Sequence, residues 1–212
     1  KPLIQYAVEE AIEAGIETLI FVTGRNKTAI EDHFDYRPEL ERVLLDQGKH
    51  DQLQMVQNII PENINCIFVR QPKPRGLGDA VHCAKSAIGA EPFAVILADD
   101  FCSLKESNPT KDLINAYKLV KKNQISVMEV NGPEISNYGV VVPGEIKEKV
   151  RGLVEKPSFN SAPSNLASIG RYVLDPEIFN ILNSLSPGKG GEIQLADAIN
   201  ELAKKERVDA VQ

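Results

Sequence analysis

The chain has 212 residues and a formal net charge of −6, with 42% hydrophobic and 25% charged residues, as in an ordinary globular domain with a real core. Its longest basic runs are the pairs 121–122 and 204–205, which argues against nucleic acid as a partner. The apolar run at 93–98 is far too short to span a bilayer, and no signal peptide is visible.

Three cysteines, Cys66, Cys83 and Cys102, are odd in number and follow no CxxC spacing. This pattern is typical of free thiols in a reducing compartment, so we expect a cytoplasmic protein. The sequence starts at Lys1 rather than at a methionine, and missing terminal motifs therefore carry no weight.

In chain order, the first half alternates predicted helices and strands. A helix is expected at 3–14, a strand at 18–22, a short helix capped by Asn26, a helical stretch at 38–60 broken near Gly48, a strand at 65–69, a helix starting at Asp79 and ending near 87, and a strand at 93–98. The strand at 93–98 is apolar without alternation, which is typical of a buried parallel strand. This order predicts a parallel sheet covered by helices on both faces.

The second half adds short strands to that pattern. A helix is predicted at 110–122 and a strand at 125–130, followed by short strands up to 173, helices at 176–182 and 193–204, and a strand from 208. We expect these extra strands to form a smaller substrate-side layer. The predicted class is therefore α/β.

Loops that follow strands carry the residues of chemical interest, because ligands bind at the carboxyl ends of such strands. The loop at 71–78 has two stiffening prolines and two glycines that allow a ligand to approach the backbone. It is neither a Walker A nor a GxGxxG sequence. An ordinary strand-to-helix connection explains it as well as a nucleotide site does.

Carboxylates and a lysine mark two further loops. Asp99 and Asp100 end the apolar strand and suit Mg²⁺ shared with substrate phosphates, although such a pair also occurs as a turn or a helix cap. Glu155 can accept bonds from sugar hydroxyls and Lys156 can hold a phosphate, or the two can form an exposed ion pair. Gly139 fits either a ligand contact or the start of a strand.

The order and spacing of these segments resemble one family. The chain is similar to the bacterial UTP–glucose-1-phosphate uridylyltransferases of the sugar nucleotidyltransferase superfamily. The resemblance covers essentially the whole chain and rests on the segments 1–6, 14–16, 22–25, 71–78, 98–100, 138–141, 155–157, 164–167, 169–172 and 190–195.

The resemblance implies a Rossmann-like three-layer α/β/α fold with a mainly parallel mixed sheet. It implies Mg²⁺-dependent transfer of UMP from UTP to α-D-glucose 1-phosphate, and assembly as a homodimer or homotetramer. The implied residue roles are as follows: Gln71, Pro74 and Gly76 bind the uracil, Asp99 binds the metal, Gly139 and Glu155 bind the sugar, and Lys156 binds the sugar phosphate. Asp99 and Lys156 are the implied catalytic residues. The roles of Lys1 and Asp100 stay open.

The family pattern also extends beyond this sequence. Its first strand with a GxGTR loop would precede Lys1, and its second metal aspartate would follow Gln212. We therefore expect 1–212 to be a single nucleotidyltransferase domain that is incomplete at both ends and turns over poorly by itself. A relative that uses dTTP or another sugar 1-phosphate, and a non-catalytic nucleotide-sugar sensor, remain the alternatives.

Overall fold

The computed structural model describes residues 1–103, 107–146 and 148–212. Its helices are α1 Leu3–Glu13, α2 Thr28–Phe34, α3 Pro38–Asp46, α4 His50–Gln57, α5 Leu77–Cys83, α6 Lys85–Ile88, α7 Pro109–Val120, α8 Glu177–Ser184 and α9 Leu195–Ala203. Its strands are β1 Thr18–Thr23, β2 Asn65–Arg70, β3 Phe93–Ile96, β4 Asn123–Glu129, β5 Gly139–Pro143, β6 Val150–Glu155, β7 Leu166–Leu174 and β8 Val208–Val211.

The strands form two sheets among the described residues. β1 and β2 pair in parallel, from Thr18 opposite Asn65 to Thr23 opposite Arg70. The larger sheet has the order β6-β5-β7-β4-β8, with β3 also paired to β7. β4 pairs with β7 along one side of that strand. On the other side, β5 pairs with β7 at Ala167, and β3 pairs with it from Arg171 to Leu174.

Most strands of the larger sheet point the same way. β7 is antiparallel to β3, β4 and β5, and β4 is parallel to β8, so β3, β4, β5 and β8 share one direction while β6 and β7 run against it. Because four of the six strands share one direction, the predicted α/β class with a mainly parallel mixed sheet is confirmed. The prediction for β3 itself was wrong, because this strand is only half-buried and its hydrogen bonds go to an antiparallel neighbour.

Two predicted helix starts also needed correction. α5 begins at Leu77, ahead of the predicted start at Asp79, and Gly76 occupies the capping position with φ +95°, so Asp79 lies within the first turn. Asn26 has φ +65° and makes no cap, since α2 begins after Lys27. The predicted break near Gly48 is confirmed, because that residue has φ +66° between α3 and α4.

Helices cover both faces of the larger sheet. One face packs against α5, α8 and α9 around a core that includes Ile125, Leu174, Phe179 and Ile199. The opposite face carries α7, which also contacts α1. A second, smaller core joins α1 to β1 and β2 through residues such as Val8 and Phe21. The result is the three-layer arrangement predicted above.

Two bulk properties follow from the same structure. Within the described ranges, no helix is both long enough and apolar enough to cross a membrane. Cys66, Cys83 and Cys102 are partly buried free thiols, and burial raises the pKa of each thiol above its usual value. A thiol with a raised pKa carries less of the reactive thiolate at neutral pH.

Candidate active site

The acidic loop after β3 folds back over the central strand. Ile96 lies opposite Arg171, and the next residue, Leu97, donates its N–H to the carbonyl of Gly170 at 2.9 Å. The Asp100 carboxylate lies directly over Gly170, in space that any Cβ at that position would fill. Gly170 has φ +70°, so both its conformation and this close approach call for glycine.

Gly139, Glu155 and Lys156 reach the same part of β7 from the other strands. Val140 pairs with Ala167, which sets Gly139 beside the segment that the acidic loop covers. Glu155 is the cross-strand partner of Gly139, and its Oε2 would lie 3.3 Å from a Cβ at that glycine. The structure therefore places Gly139 and Glu155 in contact, beside the part of β7 that the Asp100 carboxylate covers.

Lys156 adopts an unusual backbone conformation beside them. Its φ is +44°, in the left-handed region that side-chain-bearing residues rarely occupy. Its N–H donates to the carbonyl of Tyr138 at 3.1 Å, which fixes this turn at the end of β6. Strained backbone of this kind recurs at functional sites, where the surrounding structure holds it in place.

The charges of this edge act on one another. Burial raises the pKa of Asp100, the neighbouring Asp99 raises it further, and the cationic groups of Arg171 and Lys156 oppose the rise. Burial also raises the pKa of Tyr172, whose hydroxyl accepts a hydrogen bond from Ser168 at 3.0 Å. Adjacent carboxylates repel one another, and a cation bound between them would relieve that repulsion.

The same carboxylates fit a divalent cation shared with a substrate. Asp99 is exposed, and Asp100 is half-buried beside it. No cluster of three or more His, Cys, Asp or Glu side chains with metal-binding geometry occurs in the described part of the chain. Mg²⁺ commonly keeps several waters and takes only one or two carboxylates plus substrate phosphates, so a two-carboxylate site suits it.

The predicted base-binding loop lies after β2, in the smaller sheet. Its backbone docks on the segment before α9, because Gly78 donates to the carbonyl of Ile193 at 2.9 Å and Ile193 donates to Arg75 at 2.7 Å. A Cβ at Gly76 would lie 2.8 Å from the same Ile193 oxygen, so only glycine fits there. Pro74 is exposed at the tip of the loop.

The Gln71 side chain closes this loop. Its Nε2 donates to the carbonyl of Gly76 at 3.1 Å and to Oδ2 of Asp79 at 2.8 Å. Its backbone N–H donates to Thr23 at the end of β1, at 2.8 Å. The predicted base-binding residues Gln71 and Gly76 are therefore in direct contact.

Two surface cavities lie away from all of these residues. One of about 550 Å³ lies between β6 and α9 and is lined by Leu153 and Asn200 among others. Another of about 310 Å³ lies beside α2 and α3 and is lined by His33 and Arg37 among others. The predicted site residues contribute to neither cavity.

Sequence reasoning missed a buried ion pair behind the acidic loop. Arg171 donates from Nη2 and Nε to the two carboxylate oxygens of Glu10, at 2.9 and 3.2 Å, and both side chains are only 2% exposed. Arg171 Nη1 also donates to the carbonyl oxygens of Ile169, at 2.9 Å, and of Asp100. The Thr110 hydroxyl donates to Glu10 at 2.6 Å, so α1, α7, β7 and the acidic loop meet at one point.

Lys1, whose role the sequence left open, lies near this loop. Its ammonium group is 4.0 Å from the ring centroid of Tyr6 and pairs with the Glu9 carboxylate. The Tyr6 ring meets Phe101 edge to face, with centroids 5.0 Å apart. Phe101 directly follows Asp99 and Asp100 in sequence, so these contacts bring Lys1 close to the acidic loop.

With this geometry established, comparison with known proteins gives the class. The model of the nucleotidyl transferase family matches residues 1–212. The chain therefore belongs to the nucleotidyl transferase family.

Individual relatives narrow the class. The chain is 48% identical to the UTP–glucose-1-phosphate uridylyltransferase of Streptococcus pneumoniae, over 99% of this chain and 72% of that protein. It is also 48% identical to the protein of that name in Bacillus subtilis, with the same coverage. The resemblance predicted from the sequence motifs is confirmed by these relatives.

Solved structures agree with them. An apo UDP-glucose pyrophosphorylase superposes with a TM-score of 0.91 at 45% identity, covering 100% of this chain and 79% of that one. A UDP-glucose pyrophosphorylase complexed with UDP-glucose gives a TM-score of 0.88 at 44% identity, covering 100% of this chain and 78% of that one.

Proposed function

We propose that this protein transfers UMP from UTP to α-D-glucose 1-phosphate and releases UDP-glucose and pyrophosphate. The observation that carries the proposal is the 48% identity to the S. pneumoniae uridylyltransferase over 99% of the chain. A phosphate oxygen of glucose 1-phosphate attacks the α-phosphorus of UTP. The bond between that phosphorus and the oxygen that bridges the α- and β-phosphates breaks. Pyrophosphate leaves with the electron pair, so no covalent enzyme intermediate is needed.

The edge of the larger sheet supplies the sugar-phosphate half of this site. Glu155 accepts hydrogen bonds from the sugar hydroxyls, and Gly139 lets the sugar approach the backbone beside it. Lys156 holds the sugar phosphate with its ammonium group, because a compact cation suits a phosphate. The contact of Glu155 with the Gly139 position and the fixed turn at Lys156 support these roles. Placing two anions together is the main catalytic task here.

The nucleotide half uses the loop after β2 and the acidic pair. Gln71, Pro74 and Gly76 bind the uracil, supported by the closed loop in which Gln71 contacts Gly76. Asp99 would hold Mg²⁺, since its exposed carboxylate lies in the acidic loop after β3. When bound, the cation neutralises charge that develops on the phosphates. Asp99 and Lys156 are thus the catalytic residues of the proposal.

The direct test is Mg²⁺-dependent pyrophosphate release by the full-length gene product, across a grid of nucleoside triphosphates and sugar 1-phosphates. We expect release with UTP and glucose 1-phosphate, and its loss in Asp99→Ala with an unchanged melting temperature. Release with dTTP or another sugar instead would keep the mechanism and overturn the substrates. Tight UDP-glucose binding without any release would identify a nucleotide-sugar sensor.

The setting of this activity is part of the proposal. One continuous family match over 1–212 supports a single nucleotidyltransferase domain. The three free thiols support a cytoplasmic location. We further propose a homodimer or homotetramer, which light scattering after gel filtration would distinguish from a monomer.

A further inference from the structure

The Gln71 side chain has only one satisfactory orientation in this structure. Both partners of its Nε2, the Gly76 carbonyl and the Asp79 carboxylate, are acceptors and offer no proton. Turning the amide over would place its oxygen against these two acceptors and break both bonds. The hydrogen-bond network therefore fixes the orientation of the amide.

This orientation leaves a free acceptor. The amide nitrogen has two hydrogens, and the two bonds use both of them. Among the described residues, no side chain or backbone group donates to the Gln71 Oε1, and this oxygen is not among the buried polar atoms that lack a partner. The group left for a ligand is thus a carbonyl oxygen with two lone pairs.

Of the two groups that hold the amide, Asp79 is the one that a side-chain substitution can change. It occupies the first turn of α5, directly after the loop, and its 2.8 Å bond is the shorter of the two that hold the amide. A carboxylate accepts from either oxygen and never donates, so it tolerates only the amino side of the Gln71 amide. A residue with its own N–H₂ group at position 79 would accept both orientations.

A fixed carbonyl acceptor selects among nucleobases. Uracil and thymine carry a ring N3–H that donates to it, whereas cytosine has an unprotonated N3 that would face it as a second acceptor. We propose that Asp79 is a positioning residue for base selection: it holds the Gln71 amide so that its carbonyl oxygen requires a base with a ring N–H. The proposal rests on the proposed function, in which Gln71 contacts the base.

The test measures the preference for UTP over CTP in the full-length gene product carrying Asp79→Asn. Asparagine keeps the shape of the side chain and replaces one of the two obligatory acceptors, so turning the Gln71 amino group toward the base costs only the bond to the Gly76 carbonyl. We expect the ratio of kcat/KM for UTP to that for CTP to fall by about tenfold, the size of one misdirected hydrogen bond. Equilibrium binding of UTP and CTP without the sugar phosphate should show the same fall.

Two variants provide controls. Asp79→Glu keeps a carboxylate acceptor and should retain the UTP preference. Asp112→Asn makes the same chemical change in the first turn of α7, where the carboxylate is exposed, and should also leave the ratio unchanged. If Asp79→Asn does not fold, Asp79→Ser replaces the obligatory acceptor with a smaller hydroxyl that can also donate, and should lower the ratio in the same way.

The outcomes separate this inference from the proposed function. An unchanged ratio in folded Asp79→Asn overturns the inference, and so does an equal loss for UTP and CTP accompanied by a lower melting temperature, since that is what a structural role alone predicts. A wild-type protein without UTP-dependent pyrophosphate release overturns the proposed function instead. The binding ratio of UTP to CTP would still decide the role of Asp79 in that case.

Discussion

Replacing Arg171 with methionine would leave the Glu10 carboxylate buried without its countercharge. Methionine fills a similar volume, so the main cost is electrostatic and not a cavity. Both side chains of the pair are 2% exposed, so water cannot replace the guanidinium. Breaking such a pair by removing one partner costs about 3–5 kcal/mol in the free energy of unfolding. For a chain of this length we expect the melting temperature to fall by about 6–20 °C.

Urea unfolding, followed by circular dichroism, measures this loss. The exposed pair Arg42–Asp46 provides the control, because its atoms are 4.0 Å apart and its side chains are 84% and 71% exposed. Arg42→Met should change the free energy of unfolding by less than about 0.5 kcal/mol. This contrast isolates burial of the charge as the cause.

A double-mutant cycle tests the reasoning further. Glu10→Met combined with Arg171→Met removes both charges, so the double variant should be more stable than Arg171→Met alone. Two results would refute the argument: a loss below about 1 kcal/mol in Arg171→Met, or a loss in the double variant equal to the sum of the two single losses.

Three further predictions concern single residues. Gly139→Ala should raise the KM for glucose 1-phosphate, because the new Cβ would lie 3.3 Å from the Glu155 carboxylate and displace it; an unchanged KM would remove this contact from the sugar site. Lys156→Gly should abolish most turnover yet raise the free energy of unfolding by about 1 kcal/mol or less. Glycine relieves the left-handed backbone strain, and this gain exceeds the larger backbone entropy that glycine loses on folding. A less stable variant would contradict this reasoning. Burial and then Arg37 lower the pKa of His33 below its usual 6.5, so the folded state resists protonation, and stability falls as the pH drops through 6.5 toward that lower pKa. The urea midpoint should therefore fall less between about pH 8 and about pH 5 in His33→Gln than in the unchanged protein. An identical dependence of the midpoint on pH in both proteins would refute this prediction.

Local sequence signals were sufficient for most elements. The helical period at 3–14, the β-rich run at 18–22 and the break at Gly48 each depend on residues close in sequence, and the structure has all three. The sequence also shows the glycines of the two candidate loops, but it does not show which contacts require glycine at those positions. The Ile193 carbonyl that excludes a side chain at Gly76 comes from more than a hundred residues away.

Pairing of strands was the part that local signals could not give. The run at 93–98 has the apolar composition of a buried parallel strand, yet its neighbour is the antiparallel β7. β7 is separated from β3 by some seventy residues, and composition carries no information about which strand occupies that edge. The start of α5 at Leu77, and not at the predicted Asp79, has a related cause, because it depends on how the loop closes, with the Asp79 carboxylate bonded to Gln71.

The ion pair of Glu10 and Arg171 shows why the acidic loop cannot be understood from its own residues. An apolar pair at these positions could provide comparable stability, since buried ion pairs add little over well-packed hydrophobic groups. It could not hold the Asp100 carbonyl, because that bond needs a directional donor, and the same guanidinium supplies it while bound to Glu10. The position of the acidic loop is therefore tied to α1 by a contact across 161 residues of sequence. In Arg171→Met, loss of stability and loss of the proposed metal-dependent activity should accordingly occur together, whereas in Asp99→Ala only the activity should be lost.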